Sequence, residues 1–350
     1  MPRDRWRTPG DAIPVACRDR NDRRRGQSQA RKIADDLSFD LVEAVLVEAD
    51  AVHLVDDNRD LMDAEFVFNP DGGGVVAEHG KAGIMEVDAA EKVYADYQLT
   101  VTNPGGHSSI PLPDNAIYHL VNGLGRIERY RSPFELNDVT RAYYGRSSKV
   151  ETGQRAKDMQ LILGNPPDRA AVARLSQDPI DNATLHTTCV ATRLAAGHAN
   201  NALPQTAQGI VNCRILPGHS AEEVRHKLVE LLADPKITVR YVDASGEVSD
   251  QGAEIEPRAS PSLRPEVIEP LEKVTAEMWP GVPVIPSMAT GATDGVYTNA
   301  AGLPDYGISG EAIDRDDIRA HGKDERIRIE SFYRAVDFYY RYLKAVTSEN

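Results

Sequence analysis

The sequence predicts a mixed α/β body into which a compact α+β unit of β-α-β-β-α-β order is inserted. Three observations carry this prediction. Residues 64–68 (AEFVF) form a short apolar run that ends in Asn69, Pro70, Asp71 and three glycines, the pattern of a buried strand entering a tight turn. From Val93 the period changes to two, with Val93, Ala95, Tyr97, Leu99 and Val101 on one face and Asp96, Gln98, Thr100 and Thr102 on the other, as in a half-buried antiparallel strand. After Asp243 helices and short apolar strands return, which suits a body completed from both sides of an insert.

The elements follow in order. Leu41, Val42, Val45, Leu46 and Ala49 have helical spacing, with Asp40 and Glu43 as a capping box. A loop at residues 56–60 leads to the strand at 64–68, and Asp71 is expected at its C-terminal edge, where ligands bind in open α/β sheets. Beyond the strand at 93–102 and the turn NPGGHSS, Ile117, Leu120, Val121 and Leu124 mark a helix begun near Asp114. Residues 132–182 are polar with weak helical signals and read as an insertion. Strands at 184–194 and 206–216 flank the loop AAGHANNALP. Ser220 and Glu223 cap a helix with Val224, Leu228, Leu231 and Leu232 on its apolar face, and Ile237, Val239 and Tyr241 form a last alternating strand. A helix at 266–278, a strand at 282–285, the loop MATGATDG, a strand near 305–308 and a long helix from Ser331 complete the chain. The expected division is an atypical Arg-rich segment at 1–37, a body at 38–90 and 244–350, and an inserted unit at 91–243 that carries the insertion 132–183.

Composition narrows the function classes. The 350 residues, 41% of them hydrophobic, suffice for two domains with proper cores. Charged residues make up 27% of the chain and no apolar run reaches the roughly 18 residues of a membrane helix, so a membrane span is not expected. Cys17, Cys189 and Cys213 are odd in number and far apart, so neither a disulfide framework nor a thiolate zinc site is expected, and any metal must use His and carboxylates. The net charge of −14 divides into +6 for residues 1–32 and −20 for the rest. An acidic body repels nucleic acid and anionic membranes. The basic start holds Pro2, Pro9, Gly10 and Pro14 and one aromatic, Trp6, and makes a poor nucleic-acid arm. It also lacks the apolar core of a secretory signal, which leaves a cytoplasmic location as the default expectation.

Six segments resemble one family. They are DLMDAEFVFNPDGGG (60–74), VTNPGGHSS (101–109), NALPQ (201–205), VNCRILPG (211–218), TGATD (290–294) and AHGKDERI (320–327). In their order and spacing they are similar to the dizinc exopeptidases and amidohydrolases of peptidase family M20, which include aminoacylase, glutamate carboxypeptidase and succinyl-diaminopimelate desuccinylase. The resemblance covers about residues 57–345. It implies a zinc hydrolase with an inserted lid and dimerisation domain, acting on an amide or peptide bond beside a carboxylate-bearing residue. By the same resemblance Asp71 is a ligand to one zinc and His321 to the other, and His107 stabilises the oxyanion in a partner subunit's site. Arg214 grips the substrate carboxylate, for which a planar guanidinium suits two oxygens, while Asn201, Gly291 and Thr293 line the pocket. The expected partners are a small carboxylate-bearing peptide or N-acyl amino acid and a second copy of the chain, with neither nucleic acid nor membrane.

Each residue also has a plainer reading. Asp71 before glycines is commonly a turn residue, His321 a solvated loop histidine, Asp294 a helix cap and Arg214 a surface charge. The family's upstream motifs are missing as well: no H-x-D, bridging Asp or Glu-Glu pair precedes residue 57. With too few residues there for the remaining strands and helices, the expectation is a truncated or frameshifted member, and the competing function is an inactive remnant that dimerises and binds small carboxylates through Arg214.

Overall fold

The computed structural model describes residues 64–243, 246–252, 263–320 and 322–347. The expected helix at 40–49, the Arg-rich segment and His321 lie outside the described residues. The strands are β1 (Val67–Asn69), β2 (Gly74–Glu78), β3 (Lys81–Glu91), β4 (Val93–Thr102), β5 (Gly106–His107), β6 (Thr188–Ala196), β7 (Ala202–Leu203), β8 (Thr206–Ile215), β9 (Thr238–Val242), β10 (Val248–Ser249), β11 (Val284–Ala289), β12 (Asp305–Gly307) and β13 (Ala312–Asp314). The helices are α1 (Ala116–Arg129), α2 (Asp138–Ser147), α3 (Gly153–Leu161), α4 (Arg169–Leu175), α5 (Pro179–Leu185), α6 (Ala221–Leu232), α7 (Pro265–Met278), α8 (Gly295–Ala300) and α9 (Ile329–Thr347).

A mixed sheet runs β1-β12-β3-β2-β13, with β11 also paired to β3. The pairs β1/β12, β11/β3 and β13/β2 are parallel, whereas β3 pairs antiparallel with both β2 and β12. The β2–β3 hairpin went unread in the sequence, and its alternation explains the site below. Met85, Val87 and Ala89 face a core with Phe66, Phe68, Val274, Trp279, Phe338 and Tyr342. Phe338 and Tyr342, one turn apart on α9, stack with ring centroids 5.8 Å apart. Burying each such side chain contributes roughly 1.5–3 kcal/mol. Glu86 and Asp88, one residue out of phase, therefore belong to the opposite face of β3.

The second sheet is antiparallel throughout, in the order β10-β9-β4-β8-β6. Its inward residues Ala95, Tyr97, Leu99, Val101, Val211, Cys213 and Ile215 pack with Leu120, Leu228 and Leu232 of α1 and α6. The capping box expected at Ser220 and Glu223 opens α6. The predicted strand at 184–194 starts late: α5, opened by the Asp178 cap and a proline in its first turn, runs to Leu185, and β6 begins only at Thr188. The polar insertion folds into α2–α5 around Tyr144, Met159, Ile162, Leu175 and Leu185. It is pinned to the body by Arg146 Nη1, which donates to the Val284 carbonyl at 2.9 Å.

The cysteine expectation is corrected. Cys189 on β6 and Cys213 on β8 are register partners and form a disulfide, with a Cα–Cα distance of 4.1 Å. Residues distant in sequence became adjacent across an antiparallel ladder, where facing Cα atoms approach to about 4.5 Å.

Candidate functional site

The predicted site residues fall into three places. Asp71 sits two residues beyond β1, exposed to solvent, and its N–H donates to Asn69 Oδ1 at 2.9 Å. This is the turn geometry of an Asx motif. The Asn69 amide in turn donates to Thr293 Oγ1 at 3.0 Å, so one buried side chain ties the Asp71 turn to the 290–294 loop. Gly291 is exposed on that loop.

Thr293 opens onto a pocket lined by Gly72, Asp88, Ala90, Glu91, Ala289, Asn299, Asp305 and Gly307. The pocket is built from the polar face of β3, the end of β11 and the start of β12. Glu91 Oε2 accepts from the Thr293 N–H at 2.8 Å and from Thr293 Oγ1 at 3.0 Å. Glu91 Oε1 is buried without a hydrogen-bond partner among the described residues. A Cβ added to Gly295 would lie 2.9 Å from this oxygen and 2.8 Å from Asp305 Oδ1, so only glycine leaves room between the two carboxyls. Asp305 Oδ2 accepts from Thr298 Oγ1 at 3.1 Å, and Asp88 accepts from Ser287 Oγ at 2.5 Å and the Gly73 N–H at 2.8 Å. Burial pushes Glu91 up to about 7, helped by Asp305 and Asp88, against the pull of the Thr293 bonds. Burial likewise raises Asp305 to about 7 and Glu86 to about 7, and it raises Asp88. Burial thus makes Glu86, Glu91 and Asp305 keep their protons well above the ordinary carboxylate range.

Arg214 occupies the second place, at the junction of the two sheets. It pairs in register with Tyr94 of β4 and Thr188 of β6, on the face opposite the buried Cys213 and Ile215, as the alternation requires. Its guanidinium carbon lies 4.6 Å from the Tyr94 ring centroid. Arg214 has no hydrogen-bonded or ion-paired partner among the described residues. Beside it, Asn212 Nδ2 donates to Asp96 Oδ1 at 2.8 Å, and the Tyr94 hydroxyl donates to Asp96 Oδ2 at 2.7 Å. Asp96 is thus occupied and leaves the guanidinium free for an anion.

His107 and Asn201 form the third place. His107 is exposed on β5, opposite Ala202 of β7, and the Ser108 N–H donates to the Asn201 carbonyl at 3.0 Å. The Ser109 N–H donates to His107 Nδ1 at 3.2 Å, which requires a lone pair there and leaves the ring proton on Nε2. The eight residue steps from Tyr94 to Thr102, about 26 Å of strand, separate Arg214 from the turn that carries His107. One chain therefore does not bring His107 and Asn201 to its own Arg214 and Thr293.

Sequence reasoning missed Asp88, Glu91, Asp305 and Ser287. The alternation of Met85, Val87 and Ala89 with Glu86 and Asp88 carried the signal for the first of them. Asp71 is exposed, His321 lies outside the described residues, and no group of three His, Cys, Asp or Glu side chains among the described residues is placed to hold a metal ion.

The chain is similar to several known proteins. Residues 89–239 match the peptidase dimerisation domain of the M20 type. The chain is 26% identical over 263 residues to probable carboxypeptidase S-like 2 of Dictyostelium discoideum, covering 75% of this chain and 48% of that protein. It is 25% identical over 271 residues to the N-fatty-acyl-amino acid synthase/hydrolase PM20D1 of Xenopus tropicalis, covering 75% and 50%. In fold it is similar to an M20 family metallo-carboxypeptidase from Sulfolobus solfataricus, with a TM-score of 0.53 at 16% identity, over 85% of this chain and 67% of that one. The chain spans about half the length of the two curated relatives.

Proposed function

We propose, for a chain that is a relative of the M20 metallopeptidases and amidohydrolases, that it serves hydrolysis of an amide or peptide bond next to a carboxylate-bearing residue, by binding the carboxylate at Arg214. The observation that carries this reading is the Arg214 guanidinium, stacked on Tyr94 and left without a protein carboxylate at the mouth of the sheet junction. A planar fork held by an aromatic face is preorganised for two carboxylate oxygens. The relative named for N-fatty-acyl-amino acids supports N-acyl amino acids as the substrate class.

The second sheet with α1 and α6 acts as the lid and dimerisation domain. Its outer strand β6 exposes Val190 and Leu194, and α1 exposes Tyr118 and Val121, an apolar edge suited to a second copy. Dimerisation delivers His107 and Asn201 to the partner's pocket, where the Nε2–H of His107 can donate to the carbonyl oxygen of a bound amide. Gly291 and Thr293 line that pocket. Asp71 and His321 would hold zinc by the family resemblance, and zinc, when bound, would supply the hydroxide that attacks the carbonyl.

A second reading is an inactive dimer that binds carboxylates through the same Arg214 guanidinium. Metal analysis after dialysis, combined with assays on N-acetyl amino acids and dipeptides, separates the two. Tightly held zinc with turnover supports the hydrolase. No zinc and no turnover, with carboxylate binding retained, supports the inactive dimer. Loss of both turnover and binding contradicts both readings.

A further inference from the structure

Helix α9 is apolar on two opposite faces. Ser331, Ala335, Phe338 and Tyr342 are buried against the body, whereas Ile329, Phe332, Tyr333, Val336 and Tyr340 are exposed, Tyr333 to 64% and Val336 to 56%. At 3.6 residues per turn these five side chains fall within an arc of about 100° opposite the buried one, and they run for about 16 Å along the axis. Glu330, Arg334, Asp337, Arg341 and Lys344 share one flank of that arc. One apolar stripe is enough to seat a helix on its core. A second, contiguous and bordered by charge, marks a docking surface.

One segment of the chain matches this strip in pattern, length and charge. Leu41, Val42, Val45, Leu46 and Ala49 have helical spacing, and as a helix they span about 12 Å. Residues 35–57 hold eight Asp and Glu and no Lys or Arg, whereas residues 319–347 hold seven Lys and Arg against four Asp and Glu. The acidic segment therefore faces the basic end of an otherwise acidic body. Its reach is ample. The described fold begins at Ala64, and the Phe68 ring lies 5.0 Å from the ring of Tyr342 on α9. The chain from Ala49 to Ala64 extends to at most about 50 Å, while Ile329, the far end of the strip, is only about 20 Å along the helix from Tyr342. We propose that residues 41–49 dock as an amphipathic helix on the outer face of α9, with their apolar side over Tyr333, Val336 and Tyr340.

Hydroxyl-radical footprinting of the full chain, read by mass spectrometry, is the test. Tyr333 and Tyr340 should react severalfold more slowly than Tyr94, which is 45% exposed and lies on another sheet, and dilution should leave that protection unchanged. The double substitution Val45→Asp and Leu46→Asp should remove the protection of Tyr333 and Tyr340 and leave Tyr94 as it was. Should that variant fail to fold, a thiol pair placed by Val45→Cys and Val336→Cys in a Cys17→Ser background reads the same contact, as a bridge within one chain after mild oxidation. Tyr333 and Tyr340 as reactive as Tyr94 overturn the proposal. Protection that is lost on dilution, or a bridge formed only between chains, overturns it in favour of a second copy on α9. Protection that survives the double substitution overturns it by assigning the cover to something other than residues 41–49.

Discussion

Raising the pH from about 5 to about 7 should destabilise the folded chain, and three buried carboxyls set the size of the effect. Glu86 and Glu91 are each pushed up to about 7 from 4.5, and Asp305 to about 7 from 3.8. Between the unfolded and folded values the native state keeps protons that the unfolded chain has released, so stability is lost as pH rises through that window. At about 1.4 kcal/mol for each pKa unit, one such carboxyl accounts for up to about 3 kcal/mol. Other groups act mostly outside this window. Glu222, held down at about 2 by Arg225, contributes stability that is lost only as pH falls below the ordinary carboxylate range. His119, raised chiefly by Asp234, contributes stability present below its unfolded value and lost as pH rises through its elevated one, mostly above the window. Lys92, lowered to about 7, makes stability rise only above that pH. Urea midpoints measured by circular dichroism from about pH 5 to 7 are the assay, on wild type, Glu91→Gln and Asp305→Asn. The wild type should weaken steadily, and each variant should weaken less. A wild-type stability that is flat or rising, or variants with an unchanged slope, would refute the placement of these carboxyls.

Three further outcomes follow from the same geometry. Thr293→Val removes the hydroxyl that bonds Glu91, Asn69 and the Gly295 N–H, and should cost about 1–3 kcal/mol by urea unfolding, with Thr293→Ser restoring most of it. His107→Ala should leave the melting temperature unchanged because the ring is exposed and, among the described residues, bonded only to neighbouring Ser109; a drop of several degrees would mean a structural role. Residues 93–243 expressed alone should sediment as a folded dimer, since the second sheet has its own core and an exposed apolar edge. A strictly monomeric species would count against the dimerisation role.

Where one face is buried and the other is wet, the sequence was legible. Val93 to Thr102 and Thr206 to Ile215 were read almost to the residue because period two is forced by the pleat, and the Ser220 cap fixed the start of α6. The polar helices α2–α5 were hard to read, since their core is small and Asp158 and Asp181 are buried against Arg174 and Arg155. The pocket was hidden for a similar reason. Asp88 looks like a solvent-face residue in the sequence, and only the close approach of Gly72, Ser287 and Gly307 encloses it. The Cys189–Cys213 bridge depended on strand register, which spacing along the chain does not encode. Asp71 kept the plain role of a turn residue among the described contacts.

Binding of a carboxylate at Arg214 tests the central claim most directly. Equilibrium dialysis of N-acetyl-L-phenylalanine and of its methyl ester against wild type and Arg214→Ala is the measurement. The bidentate contact that the guanidinium offers predicts that wild type binds the acid and not the ester, and that Arg214→Ala loses the acid by roughly tenfold or more while keeping its fold, a loss of about 1.5–3 kcal/mol for hydrogen bonds to a charged group. Equal binding of acid and ester, or unchanged affinity in Arg214→Ala, would contradict the account.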